Sequence, residues 1–215
     1  MRILGLTGGI AMGKSAAARQ LRRMGLPVHD ADAAIHRLYA PRGKAFAAVA
    51  KRFPTAIVDG RVDRQKLGQL VFGKPDELKA LERILHPLVR RETLAFLQRQ
   101  ARRRRKLAVL DIPLLFETGG EENCDYVVTL SAPGFLQRQR ALRRPGMTPA
   151  KLDSIVARQT PDPEKRRRAD CVVPSGLGFA VSLRHLKRAV RLAGAAPRRA
   201  WPPGPRRLRR LRGRT

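Results

Sequence analysis

Gly8 to Ser15, G-G-I-A-M-G-K-S, is the stretch that leaves this chain the fewest folds. It follows a short apolar run, Ile3 to Leu6, and opens onto a segment in which Ala17, Leu21 and Met24 share one helical face. The spacing is G-x-x-x-x-G-K-[ST], that of a phosphate-binding loop. A loop wrapped round a phosphate must turn its N–H groups inward, which is easiest where residues lack a Cβ. A helix starting near Gly13 adds free N–H groups and the positive end of its dipole. Lys14 then reaches the β- and γ-phosphates of a nucleotide, and the Ser15 hydroxyl is placed to bind Mg²⁺. The plain alternative is a glycine-rich turn with a chance lysine. The strand before and the helix after favour the phosphate loop.

A chain of 215 residues with 43% apolar content suits one domain with an inserted subdomain. No apolar run approaches the roughly 20 residues of a membrane span, and the opening residues read as a strand rather than a signal peptide. The cytoplasm is the expected location, with no membrane partner. Cys124 and Cys171 lack metal-ligand spacing and read as reduced thiols rather than a disulfide or metal site. The 46 basic residues against 17 acidic ones give a net charge of +29 and imply polyanionic partners. Those are nucleic acid, or a nucleotide triphosphate with a second phosphorylated substrate. No acidic residue follows Asp170, and from Pro197 to Thr215 the chain is mostly Arg, Pro and Gly. Such a segment buries too little apolar surface to order itself and reads as a disordered basic tail. It is a solvated extension, or a contact for RNA or acidic lipid.

Taken in order, Leu26 to Asp30 is a short second strand, after which Ala34, Ile35 and Leu38 take up helical spacing. Asp30 caps that helix. Asp32 falls in its first turn, and an acid just after strand two can face phosphates held after strand one, which makes it the candidate base. From about residue 40 to 105 the pattern is helical throughout, an insertion suited to holding a second substrate. His86-Pro87 interrupts its longest run. On the residues alone, His86 is a helix-end residue rather than a catalyst. Arg102 to Lys106 closes the last helix of the insertion as a solvated, dipole-compensating face. Leu107 to Leu110 reads as a buried strand ending in Asp111, the form of a second Mg²⁺-site motif. Cys124 to Leu130 is the next strand. Two arginine-rich helices follow Pro133, the second capped by Thr148 with Pro149 at its first position. Such a hairpin, at about residues 135–160, is suited to close over ATP as a lid. Asp170 to Val173 reads as a last strand and Leu177 to Leu192 as a last helix.

The motifs G-L-T-G-G-I…G-K-S, D-A-D at 30–32, H-P at 86–87, P-L-L-F-E at 113–117, Q-x-x-R-x-x-x-R at 137–144, R-Q at 158–159 and A-D at 169–170 come in the order seen in dephospho-CoA kinases. The chain resembles that family from about Arg2 to about Ala193. The resemblance implies an α/β fold: a P-loop kinase core with a parallel five-stranded sheet flanked by helices, a helical substrate-binding insertion and a small lid, together filling residues 1–196. It also implies transfer of the ATP γ-phosphoryl group to the ribose 3′-hydroxyl of dephospho-CoA, giving CoA and ADP, the last step of CoA synthesis.

By position, the resemblance assigns ATP binding to Gly8, Gly9, Ile10, Ala11, Met12, Gly13, Lys14, Ser15 and Ala16, with Arg140 and Arg144 as lid arginines at the phosphates. Gln159 falls near the nucleotide. Asp32 takes the proton from the acceptor hydroxyl, and His86, Leu114 and Glu117 fall on the acceptor side. The chain departs from the family where Gly-Ser is usual and Ala11-Met12 stands, at Ala16 in place of threonine, and near Pro174-Ser175, where a polar residue, often Asn, is usual. Two other classes stand beside this one: another small-molecule P-loop kinase, which fits the insertion and P-L-L-F-E less well, and a basic nucleic-acid-binding NTPase, for which interleaved aromatics are lacking.

Overall fold

The computed structural model describes residues 1–202. In chain order the elements are β1 (Arg2–Gly8), α1 (Lys14–Arg23), β2 (Val28–Asp30), α2 (Ala31–Leu38), α3 (Phe46–Arg52), β3 (Ile57–Val58), β4 (Arg61–Val62), α4 (Arg64–Val71) and α5 (Pro75–Arg102). Then come β5 (Leu107–Asp111), β6 (Tyr126–Ser131), α6 (Gly134–Leu142), α7 (Pro149–Ala157), α8 (Asp162–Arg168), β7 (Cys171–Pro174) and α9 (Phe179–Ala195). Two compact units share the chain: Met1–His29 with the segment from Gln100 onward, and Asp30–Arg99.

The first unit is built on a five-stranded sheet, among the described residues, in the order β2-β5-β1-β6-β7. β1 pairs in parallel with β5 and with β6, and β6 with β7. Every residue of β5 is buried, as expected of an unbroken apolar run covered on both faces. Leu4, Leu6, Val109, Val128 and Leu130 meet Ala17, Ala18 and Leu21 of α1 and Leu186, Ala189 and Ala193 of α9 in one core. The small residues on these helices let their axes lie close to the sheet. β2 begins at Val28 rather than Leu26, since Pro27 has no N–H to give a ladder, and its carbonyl accepts from Val109 at 2.9 Å. β6 begins at Tyr126 rather than Cys124, which closes a 3₁₀ turn. Both cysteines are free. α8 has no counterpart in the sequence reading: D-P-E-K-R-R-R has no apolar residue to mark a helix.

Past α9, Asp125 accepts from the amides of Arg199 and Ala200 with one carboxylate oxygen and from Ile3 with the other. Ala200 is 3% exposed. The packed chain therefore runs beyond Pro197, where the tail was expected to begin. The rest of that segment, residues 203–215, lies outside the described residues.

In the second unit, Leu38, Tyr39, Val49, Phe53, Leu67 and Leu85 form a core of their own. The unit is not all helical: β3 and β4 form an antiparallel ribbon around Asp59-Gly60. The turn signal was legible, but strands of two residues leave no period to read. Nor does His86-Pro87 end a helix, since α5 continues through Pro87 for 28 residues. Proline inside a helix costs about 3 kcal/mol. Ile84, Leu85, Leu88 and Val89, on both sides of it, pack into the same core and hold the axis. Among the described residues no helix is long and apolar enough to cross a membrane.

Candidate active site

The phosphate loop leaves β1 at Gly8, where an added Cβ would lie 2.9 Å from the Leu130 carbonyl oxygen. It ends at Gly13, whose φ of 89° is left-handed and lets the chain turn into α1. The amides of Lys14 and Ser15 lie in the first turn of α1, where a helix supplies no acceptors of its own. No acidic residue stands in that turn to neutralise the dipole. Lys14 Nζ lies 2.8 Å from Asp111 Oδ1, at the carboxyl end of β5. The Asp111 side chain is 3% exposed, so the pair stands largely out of water, while Ser15 beside it is exposed. Parallel register places Asp111 opposite Leu6, just ahead of the loop. The two expected metal-site residues thus adjoin Lys14, Ser15 in sequence and Asp111 through its ion pair.

Ala11 and Met12 take part in packing. Ala11 has a left-handed φ of 60°, which costs an L-residue about 1–2 kcal/mol. Its methyl is buried with Ala141 and Leu152 of the arginine-rich hairpin. Met12 is 2% exposed within the main core, and its sulfur accepts from the Ala132 amide at 3.1 Å. The space a glycine and serine would leave is filled by a methyl and a thioether that tie the loop to α6, α7 and the end of β6.

Ile10 joins the loop to the hairpin by hydrogen bonds. Its amide donates to Gln159 Oε1 at 2.9 Å, and its carbonyl accepts from Gln137 Nε2 at 3.0 Å. Gln159 was expected near the nucleotide and touches the loop itself. Gln137 carried no role in the sequence reading, although it opens the Q-x-x-R-x-x-x-R motif. Arg140 donates to the Ser175 hydroxyl at 3.2 Å and to its carbonyl at 2.9 Å. A Cβ on Gly13 would come within 3.1 Å of the Ser175 Cβ, so Arg140 is held one residue away from the loop. Arg144 is exposed on the same hairpin. Ala16 lies in the first turn of α1, its amide donating to the Gly13 carbonyl at 3.0 Å.

At the carboxyl end of β5, the buried Thr7 hydroxyl donates to the Pro113 carbonyl at 3.0 Å and fixes the P-L-L-F-E turn. Leu115 and Phe116 are buried while Leu114 is 42% exposed. The Glu117 carboxylate is taken up by its own neighbourhood. It accepts from the Thr160 amide at 2.8 Å and lies 2.8 Å from Lys165 Nζ, a side chain with no exposure. Burial pushes the Glu117 pKa up, but Lys165 and the amides it accepts from outweigh that and hold it below the usual carboxylate range.

In the second unit Asp30 caps α2, accepting from the Ala33 amide at 2.9 Å. Asp32 is exposed in the first turn of the same helix. Burial and Arg64 lower the His36 pKa, and the charge of Asp32 opposes them. His86 is exposed in mid-helix on α5 rather than at a helix end.

Comparison with known proteins bears directly on this loop and sheet. The family model for dephospho-CoA kinase matches residues 2–177. The dephospho-CoA kinase of Rhodospirillum rubrum is 54% identical over 209 residues, 96% of this chain and 98% of its own length. That of Paramagnetospirillum magneticum is 59% identical over 166 residues, 77% and 78% of the two chains. Among solved structures, TT1252 from Thermus thermophilus has a TM-score of 0.79 at 36% identity, covering 89% of this chain and 96% of that one. Shikimate kinase from Acinetobacter baumannii, at a TM-score of 0.52 and 16% identity, shares the fold alone. The matched residues span β1, the phosphate loop, the P-L-L-F-E turn, the glutamines that hold Ile10, and β7, and on that basis the chain belongs to the dephospho-CoA kinase family.

Proposed function

We propose that this chain transfers the γ-phosphoryl group of ATP to the ribose 3′-hydroxyl of dephospho-CoA, releasing CoA and ADP as the last step of CoA synthesis in the cytoplasm. The observation that carries the reading is Lys14: a cation at the uncompensated positive end of α1, paired with Asp111 at a strand end, in a member of this family. ATP phosphates would lie against the loop from Gly8 to Ala16, toward the first-turn amides of Lys14 and Ser15. As the acceptor oxygen bonds to the γ-phosphorus, the bond to the β,γ-bridging oxygen breaks and ADP leaves. Asp32 takes the hydroxyl proton. Lys14, Arg140 and Arg144 balance the charge on the migrating group, an effect worth about 10³–10⁵ in rate for an arginine in related phosphoryl transfers. His86 and Leu114 contact the acceptor, and Glu117 holds the turn that carries Leu114.

Ser15 and Asp111 offer a hydroxyl and a carboxylate, the hard oxygen donors that Mg²⁺ takes. Held by these two side chains, Mg²⁺ would supply positive charge toward the ATP phosphates.

The test is acceptor choice. Purified protein with ATP is offered dephospho-CoA, adenosine, shikimate or gluconate, and ADP release is followed alongside the mass of the acceptor. Rapid turnover with dephospho-CoA alone, with one phosphate gained, is expected. Turnover confined to another acceptor overturns the reading.

A further inference from the structure

The positive charge of the first unit is not gathered only where ATP would bind. No acidic residue precedes Asp30, and none lies between Glu92 and Asp111. These two stretches meet at the amino ends of β2 and β5, where Met24 to Pro27 and Arg103 to Leu107 line a cavity of about 720 Å³. Arg103, Arg104, Arg105 and Lys106 are all exposed at its rim. Its apolar lining is recessed: Leu107 is buried, and Met24 and Leu26 are half-buried. Arg22 and Arg23 close α1 immediately before Met24.

This cavity stands at the wrong end of the sheet to serve the phosphate loop. Arg2, which opens β1, pairs in register with Leu107, and its amide donates to the Lys106 carbonyl at 2.8 Å. The loop departs from Gly8 at the other end of that seven-residue strand, roughly 20 Å away at about 3.3 Å per residue. Asp125, the carboxylate where β6 begins, is occupied by the amides of Ile3, Arg199 and Ala200. The cations at the cavity therefore serve neither ATP nor an acidic residue among those that line it.

We propose that the amino ends of β2 and β5 form a second binding site, for single-stranded nucleic acid. Guanidinium groups present a planar fork that matches phosphate oxygens, and bases stack on their faces as they do on aromatic rings, so an arginine cluster offers both contacts where interleaved aromatics are lacking. The shape separates this partner from a lipid surface. An amphipathic membrane contact pushes apolar side chains out beyond its charges, whereas here Leu107 is buried, Met24 and Leu26 are half-buried and the cations are exposed. A flexible strand enters such a concavity; a bilayer does not.

The probe is a fluorescein-labelled oligouridylate of about 20 nucleotides, longer than the ~4–16-nucleotide sites of single-strand binders. It is titrated with the full chain across a salt series. The test variant carries Arg103→Gln, Arg104→Gly, Arg105→Gln and Lys106→Gln. Arg104 has a φ of 53°, which glycine adopts without strain, and all four residues are exposed, so the variant keeps its fold and its turnover of dephospho-CoA. Loss of about four phosphate contacts lowers the salt slope by about 3 and weakens binding at least tenfold at ~0.1 M salt. A control variant, Lys66→Gln, Lys74→Gln, Lys79→Gln and Arg91→Gln, removes the same charge elsewhere and binds within threefold of the parent. Equal binding by the test variant and the parent overturns the proposal, as does equal weakening in the control. So does binding to phosphatidylserine vesicles with none to the oligouridylate.

Discussion

Ile10 donates its amide hydrogen to Gln159 Oε1 at 2.9 Å, across 149 positions of sequence. With Gln137 on the Ile10 carbonyl, both polar groups of one loop residue are bound by the arginine-rich hairpin. The loop's shape thus depends on side chains far away in the chain. A bond of this kind contributes about 1 kcal/mol, so Gln159→Ala should raise the KM for ATP about fivefold with a smaller change in kcat. Gln159→Glu keeps the acceptor toward Ile10 but adds a negative charge beside the phosphates, and should bind ATP more weakly than the alanine variant. Steady-state kinetics at varied ATP distinguish these outcomes.

Lys165 and Glu117 make a pH-dependent fastening between α8 and the turn after β5. The folded Glu117 pKa lies below its unfolded value, so the stability it contributes is fully present above about pH 4.3 and is lost as pH falls through the folded value. Glu117→Gln leaves the Lys165 ammonium buried without its counter-charge, at a cost of about 3–5 kcal/mol. Lys165→Met removes the fully buried ammonium and leaves Glu117, 15% exposed and still accepting from the Thr160 amide, so it should cost less. Thermal unfolding between neutral pH and pH 3 should show a constant gap between wild type and Glu117→Gln that narrows below about pH 4.

What was legible in the sequence was what local spacing or a local cap encodes. The loop and α1 follow from glycines and an apolar face, the start of α2 from Asp30, and the start of α7 from Thr148 and Pro149. What escaped is held by distant partners. α8 has no apolar face to read, and is fixed by buried Lys165 and by the Ser131 hydroxyl donating to Asp162 at 2.7 Å. The segment at Arg199 and Ala200 reads as tail until Asp125 is seen to bind its amides. Pro87 reads as a break because the sequence does not reveal that both flanks share one core. At the site, the loop motif assigns Lys14 to the phosphates, but its pairing with Asp111 and the grip of Gln137 on Ile10 depend on strand order.

Met12 shows how a departure from the family pattern becomes structural. Met12→Ser restores the usual residue but empties a 2%-exposed position in the main core. Truncating a buried methionine costs about 2–5 kcal/mol, so urea denaturation should show a loss in that range even where activity persists at low temperature. A variant as stable as the parent would mean the core closes round the smaller side chain.

Lys14 carries two roles that separate by mutation. Lys14→Ala should cut turnover at least about 100-fold, the scale for losing a preorganised charge partner of a developing anion. It also strips Asp111 of its cation in a nearly dry site, so thermal stability should fall as well. Adding Asp111→Asn should recover much of the stability and none of the turnover. Recovery of turnover in the double variant would show that the lysine serves the fold rather than the phosphates.

Asp30, which caps α2, and Asp32, in its first turn, sit two residues apart and make the sharpest comparison. Asp30 accepts from the Ala33 amide at 2.9 Å, which is a capping role, and asparagine caps about as well as aspartate. Asp30→Asn should therefore cost a few tenths of a kcal/mol in stability and little turnover. Asp32 is exposed in the first turn and is assigned the acceptor proton. A ribose hydroxyl attacks poorly unless its proton is taken up as the bond to phosphorus forms, and general-base help of this kind is worth about 10²–10⁴ in rate. Asp32→Asn is nearly isosteric. It should keep the fold and bind both substrates with modest change while losing kcat by that factor. Equilibrium binding of ATP and dephospho-CoA, measured beside kcat for both variants, decides the matter. If Asp30→Asn abolishes turnover and Asp32→Asn does not, the two carboxylates are reversed. If both turn over normally, the proton leaves by another route.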